Sequence, residues 1–389
     1  MIRSFTGMSA ERDSALAGEQ LAHQIRQAFD GLEPSAVVVF ASSAHHPQRL
    51  LEALRSGIGP DAALAGASSA GEFTQSQQAE GQVSVLALWS DEMSFSVGVG
   101  RQVRASPAAA AGAVAQGFRG LRDTYFAYKT AMVITDALAG YADEVVEALT
   151  MATAGGYHFF GGGAGDDGKF HQTHVFADTE VLTDAVVALE ILSSKPIGIG
   201  VSHGWEAAGP GCRVTESDGM RIIGLNGLPA VQVFEQHAMA TGQSFRREDP
   251  LPFLLHNILG IETPGGYRLR VPLAVEPDGT VACAAAVPQG AIVRVMKTSA
   301  ESAVRAAQQA AANALAALGG HRPAVGFVFD CVATRLRLGR SFENELKACA
   351  DLLAPAQFVG CNTYGQIARA DGQFSGFHNC TAVVCVLPE

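Results

Sequence analysis

A unit of strand, helix, short strand, glycine-rich turn and strand recurs three times along the chain. A repeat of that kind constrains the fold to stacked, related α/β layers. In the first copy the apolar run 36–41 reads as a strand, 47–56 as a helix and 62–65 as a short strand. Gly66-Ala67-Ser68-Ser69-Ala70-Gly71-Glu72 follows, then a strand at 83–88. The second copy places these elements at 131–136, 142–152, 157–160, Gly161-Gly162-Gly163-Ala164-Gly165-Asp166-Asp167 and 185–192. The third has them at 325–330, 343–353, 356–359, Gly360-Cys361-Asn362-Thr363-Tyr364-Gly365-Gln366 and 381–387, with an extra loop at 333–340. With Phe40, Thr135 and Phe329 matched, the turn glycine comes 26, 26 and 31 residues later. Glycine there answers a need for positive φ or for close approach of another backbone. Loops at such strand ends are also where α/β sheets hold ligands.

A chain of 389 residues suits two domains of roughly 150–200 residues. The polar, glycine-rich stretch 204–219 puts a boundary near 213, giving domains 1–213 and 214–389. In the second, 229–240 and 300–318 read as helices and 267–275, 280–286 and 289–297 as strands, with a hairpin turn at Glu276-Pro277-Asp278-Gly279. The expected fold class is α/β: two domains of repeated units, with mixed sheets packed against helices.

Charge and cysteine use narrow the function. A net charge of −11 without a Lys/Arg cluster repels phosphate backbones, so nucleic acid is not an expected partner. No apolar run is long enough to span a membrane, and Met1–Thr6 does not open a signal peptide, so the expected location is the cytoplasm. Seven cysteines without a CxxC pair fit reduced thiols and exclude a zinc ribbon.

Catalytic motifs fail one by one. Neither outer glycine turn continues into Lys-Ser/Thr, so no P-loop exists, and no Gly-x-Ser-x-Gly elbow appears. Asp166 and Asp167 are adjacent and point apart, which suits turn capping better than acid–base work. His171 and His174 lack a third metal ligand nearby. His203, in Ser202-His203-Gly204-Trp205 beyond an apolar strand, is a candidate ligand for haem iron, with Trp205 beside it. His378, Asn379 and Thr381 stand at the entry to the last strand, where they are expected to line one cleft with the third turn. With no nucleophile–base pair or metal set, an enzyme is not expected.

The run Phe160–Asp167 with Phe170, Thr173 and Phe176 resembles the core of the FIST N-terminal domain, and Gly66–Glu72 resembles its earlier glycine element. Cys331-Val332-Ala333-Thr334-Arg335, the turn Gly360–Gln366 and His378-Asn379-x-Thr381 resemble the FIST C-terminal domain. The resemblance runs from about residue 30 to the C-terminus. It implies a signal-input module for a small ligand, reporting to a separate protein such as a histidine kinase or a diguanylate cyclase/phosphodiesterase; a homodimer is compatible with it. Length and the element around His203 resemble the stand-alone, haem-binding, nitric-oxide-sensing NosP group. That likeness implies haem b, with His203 as axial iron ligand and Trp205, His378, Asn379, Thr381, Gly161, Gly165 and Asp166 around the site. The rival expectation is a haem-free receptor for an amino-acid-like metabolite held by turn amides, Asp166, Asn379 and Thr381. Two positions depart from the family pattern: one extra residue separates Cys331 from Arg335, and Gln366 stands where an acid is usual.

Overall fold

The structure is a computed structural model and describes residues 1–370 and 376–389. Three six-stranded sheets repeat one topology. In the first, the strands run in the order Ile2–Ser9, Val83–Ser90, Ala36–Ser42, Ala63–Ser69, Val175–Ala177, Glu180–Leu182. In the second the order is Met93–Arg101, Ala185–Ser193, Tyr128–Thr135, His158–Gly163, Gln366–Arg369, Gly376–His378. In the third it is Gly198–Ser202, Ala382–Pro388, Pro323–Cys331, Gln357–Thr363, Glu72–Thr74, Gln78–Ala79. Within each sheet only the third and fourth strands are parallel. The last two strands form a hairpin supplied by a different copy: the second copy completes the first sheet, the third completes the second, and the first completes the third.

Each copy begins earlier than its sequence pattern shows. A strand and a helix precede the recognised unit: Ser14–Ala28 in the first copy, Pro107–Gln116 in the second and Ala300–Ala317 in the third. Local chemistry sets these starts. Asp13 accepts from the N–H groups of Ala15 and Leu16, Ser106 caps a helix with Pro107 in its first turn, and Ser299 caps the third.

The strands are apolar on both faces because both are covered. In Ala36–Ser42, Ala36, Val38 and Phe40 enter a core shared by all three sheets. Val37, Val39 and Ala41 instead meet the helices Ser14–Ala28 and Pro47–Ile58. Phe40, Phe160 and Phe329, one from each sheet, close the shared core, with centroids 5.6 Å apart for Phe40–Phe329 and 6.1 Å for Phe160–Phe329.

Register corrects one match in the repeat. Val39 pairs with Gly66, Val133 with Gly161 and Val328 with Gly360, so the equivalents of Phe40 and Phe329 are joined by Ile134, not Thr135. These glycines lie inside strands rather than in turns. A Cβ would sit 1.9 Å from Val39 O at Gly66, 2.1 Å from Val133 O at Gly161 and 2.0 Å from Val328 O at Gly360. Close approach to the parallel neighbour is what requires them.

The expected loop 333–340 is also different: Val332–Leu338 is a helix. Residues between Gly198–Ser202 and Ala300–Ala317 build a fourth, nine-stranded sheet, and its strand Cys212–Asp218 runs through position 213. The expected strand 267–275 divides into Gly266–Arg270 and Pro272–Val275, and between them Val271 N–H turns to Asn379 Oδ1. No described helix is long and apolar enough to cross a membrane.

Gly161→Ala should therefore cost about 3 kcal/mol or more, from overlap plus a φ of 138°. Gly112→Ala, within Pro107–Gln116 and with nothing within 4 Å of its Cβ, should stabilise by about 0.5–1 kcal/mol. Urea unfolding of the two variants checks both signs.

Candidate ligand site where three turns meet

The exits of the three parallel strand pairs converge, and their turns are laced together by backbone hydrogen bonds. Gly165 N–H donates to Ser68 O (2.9 Å), Ala70 N–H to Asn362 O (3.0 Å), Asn362 N–H to Gly71 O (2.8 Å) and Tyr364 N–H to Gly163 O (3.0 Å). The junction is a knot of backbone, not an open cleft.

The residues expected at the site fall into two groups. Gly161, Gly165 and Asp166 belong to the knot. A Cβ on Gly165 would meet Ala70 at 2.9 Å, so packing accounts for it as for Gly161. Asp166 accepts from the N–H groups of Phe170 (2.8 Å), His171 (2.6 Å) and Gln172 (2.9 Å) and from the Tyr364 hydroxyl. Burial pushes its carboxyl up, but those donors outweigh burial and hold it below the usual carboxylate range. It organises its own loop.

His203, Trp205 and His378 form the second group. His203 Nε2–H donates to Tyr267 O (3.1 Å), and Nδ1 accepts from Trp205 N–H (3.3 Å). Burial lowers its pKa. Burial, with Arg270, Arg268 and His203 nearby, pushes His378 down to about 3, so its imidazole is neutral. Trp205 carries the Arg337 guanidinium at 5.4 Å from its ring centroid. Asn379 accepts from Val271 N–H, Thr381 Oγ1 donates to Asn379 O (2.9 Å), and Thr381 N–H reaches Gln366 Oε1 in the third turn (3.2 Å). The cavity between His203, Trp205, Asp330, Arg337 and Glu345 is about 10 Å³, room for one water at most. Haem does not fit this arrangement: Nε2 would have to leave Tyr267 and the cavity to widen many-fold. Among the described residues no group of three or more His, Cys, Asp or Glu side chains is placed to hold a metal ion.

What the sequence reading left off the site is a set of polar groups at the seam of the first and third turns. Asn362 is fully buried, and neither Oδ1 nor Nδ2 has a hydrogen-bond partner. Arg335, with 8% of its side chain exposed, donates from Nη1 to Glu80 while its Nε is buried and unpartnered. Both face Gly71: a Cβ there, where φ is 131°, would lie 2.8 Å from Asn362 Oδ1 and 3.3 Å from Arg335 Nη1. Buried polar groups without a hydrogen-bond partner are costly, which sets Asn362 and the Arg335 Nε apart from the laced backbone around them. The signal was visible: Gly71, Arg335 and Asn362 each lie in a motif quoted above.

Beside them, Glu72 and Gln366 hold equivalent positions. Glu72 accepts from Ser69 Oγ (2.6 Å) and from Gln82 N–H (3.1 Å). Gln366 donates to Thr363 Oγ1 (2.9 Å) and accepts from Thr381 N–H (3.2 Å). Burial pushes Glu72 up to about 8, so at neutral pH it is a neutral carboxyl. The acid-to-Gln366 departure is thus a swap between two neutral groups.

A larger groove of about 350 Å³ lies at the exit of Tyr128–Thr135, between Arg104, Asp136, His171, Thr173 and Asp184. Its carboxylate is already met: Asp136 accepts from Thr173 Oγ1 and from Asp184 N–H (2.6 Å).

Two family models match the chain in succession: the FIST N domain over residues 35–228 and the FIST C domain over 230–369. The chain belongs to the FIST family. FIST domains are sensory modules of signal transduction, and Gly71 from the first matched range meets Arg335 and Asn362 from the second at one seam. No curated protein matches the chain. A solved cyanuric acid hydrolase from A. caulinodans is similar over 99% of both chains, at 9% identity and a TM-score of 0.34, which carries no argument about activity.

Glu72 makes a pH prediction. Its folded pKa of about 8 exceeds the ordinary 4.5, so between those pH values the unfolded chain releases a proton that the folded FIST chain keeps. Stability therefore falls as pH rises through that window, by up to about 1.4 kcal/mol per unit, and levels off above about 8. Glu72→Gln should match wild type near pH 4 and exceed it by a few kcal/mol at pH 8; urea unfolding at both pH values checks this.

Proposed function

We propose that this FIST chain is a sensory input module that takes a small ligand at the seam of the first and third turns and reports its presence to a separate signalling protein. The observation that carries this reading is the buried, unpartnered Asn362 amide facing the same spot as the Arg335 guanidinium. A ligand that meets these groups would gain hydrogen bonds from them, and it would touch backbone shared by all three sheets. Occupancy would therefore bias a two-state arrangement of the turns, the minimum a sensor needs. A histidine kinase or a cyclic-nucleotide enzyme is the kind of partner that would read it.

Asn362→Leu separates binding from folding. Leucine has nearly the same volume and removes the unmet amide, so the variant should be more stable by about 1–3 kcal/mol while losing ligand-induced stabilisation. Thermal shift of both proteins against a panel of small metabolites, haemin included, tests the reading. A hit whose shift disappears in Asn362→Leu supports it. A panel without any such hit, or a variant less stable than wild type, counts against it. A sharp Soret band with haemin that His203→Ala removes would favour haem at His203 instead.

A further inference from the structure

We infer that Cys331 and Cys380 form a site of oxidative modification, at which hydrogen peroxide joins the two thiols in a disulfide. All seven cysteines are free thiols in this structure. The site does not depend on a ligand at the seam of the turns.

The sheet brings the pair together. Cys331 ends the strand Pro323–Cys331, and Cys380 stands two residues before the strand Ala382–Pro388. These strands are antiparallel neighbours, and their register runs out at Phe329 opposite Val383. Carried two residues further, that register sets Cys331 opposite Thr381 and makes Cys380 its diagonal neighbour. Neighbouring strands lie about 4.7–5.5 Å apart, within the reach of a disulfide between Cα atoms. Both side chains enter one apolar cluster with Trp205, Ala333 and Met296, and there the Cys380 thiol donates to the Cys331 sulfur.

This contact gives the sulfurs different roles. Cys331 accepts from the Cys380 thiol and from the N–H groups of Cys380 and Ala333, and these donors outweigh burial and bring it down to about 7. The same bond, with burial, pushes Cys380 up, so it keeps its proton. Burial also pushes up the other five thiols, Cys212, Cys283, Cys349, Cys361 and Cys385. Cys331 is thus the thiolate that attacks. Its sulfur bonds to one peroxide oxygen, the O–O bond breaks, and the departing hydroxide takes a proton from solvent and leaves as water. Cys331 is then a sulfenic acid. The Cys380 sulfur attacks it: the S–S bond forms, the S–O bond breaks, and the hydroxide leaves with the Cys380 proton as a second water. Two electrons pass from the thiols to the peroxide. The way in is the small cavity lined by Cys380 and by Asp330, which precedes Cys331; its size selects the slimmest oxidant and shuts out a bulky disulfide.

The position of the pair links oxidation to shape. Cys331 stands at the start of the helix Val332–Leu338, which carries Arg335 and Arg337. Cys380, at a φ of 49°, lies between Asn379, which accepts from Val271 N–H, and Thr381, which donates to Gln366 in the third turn. A disulfide locks the start of that helix to the entry of the last strand.

The experiment treats the reduced, folded full chain with hydrogen peroxide at neutral pH, alkylates it after unfolding and maps its peptides by mass. Five of the seven cysteines should remain alkylatable, with Cys331 and Cys380 recovered as one crosslinked pair that dithiothreitol opens. Glutathione disulfide should leave the folded chain reduced. In Cys380→Ala, dimedone should trap a sulfenic acid at Cys331, and Cys331→Ala should show neither crosslink nor adduct at Cys380. Oxidised wild type should melt above the reduced chain, because the crosslink restricts the unfolded state, and neither variant should shift.

Seven alkylatable cysteines after peroxide overturn the inference, as does a crosslink between any other two. A Cys331–Cys380 crosslink that forms only after urea has unfolded the chain overturns it as well. Should a variant fail to fold, the wild-type peptide map decides alone.

Discussion

Each sheet of this protein is finished by a hairpin from another copy of the repeat. Val175–Ala177 pairs with Ala63–Ser69, Gln366–Arg369 with His158–Gly163, and Glu72–Thr74 with Gln357–Thr363. Because every loan is passed around the ring, no copy can withdraw its hairpin without exposing the strand edge of its neighbour. The same exchange brings the three turns within hydrogen-bonding distance, since each hairpin leaves its own sheet at the turn. The shared core of Phe40, Phe160 and Phe329 lies behind that junction. The two family domains that follow one another in sequence are therefore interleaved in space: Glu72 of the first lies beside Cys361 of the second.

How much of this was legible follows from what a sequence period encodes. The recognised strands and helices of each copy stand within a few residues of their expected places, because apolar runs and 3.6-residue patterns report burial directly. The leading elements were harder to see. Met93–Arg101 mixes Ser and Gly into its strand, and Pro107–Gln116 is largely alanine, so neither shows a strong polar face. Gly66, Gly161 and Gly360 were visible as glycines, but a turn and a crowded strand ask for the same residue. Only the pairing partner distinguishes them. The hairpin exchange had no sequence signal, since it depends on which strand edge a short segment meets.

The site divides along a similar line. His203 attracts attention because imidazole can titrate and ligate, yet its two nitrogens are met by Tyr267 O and Trp205 N–H. Asp166 is likewise consumed by its own loop. Asn362 looks ordinary in sequence because Asn is common in turns. What singles it out is the lack of a partner, and whether a polar group is met is a property of the surroundings. Arg335 is visible in its motif, but it stands on a seven-residue helix, Val332–Leu338, too short to show a helical period in sequence.

The approximate threefold symmetry sets the position of Asn362 beside two equivalents. Counted from the glycines Gly66, Gly161 and Gly360, the position of Asn362 is held by Ser68 in the first copy and Gly163 in the second. Ser68 is met by the backbone: its Oγ accepts from His174 N–H at 2.8 Å. Gly163 has no side chain to meet. The frame thus offers one position three times, with a satisfied hydroxyl, nothing, and an unsatisfied amide. A position that serves folding alone would be expected to carry the first or second solution, since both cost less than a buried amide without partners. Asn362 breaks that pattern at the junction where the buried Arg335 guanidinium also packs against Gly71. An unmet amide at one of three equivalent positions is thus the asymmetry on which the proposed ligand site rests.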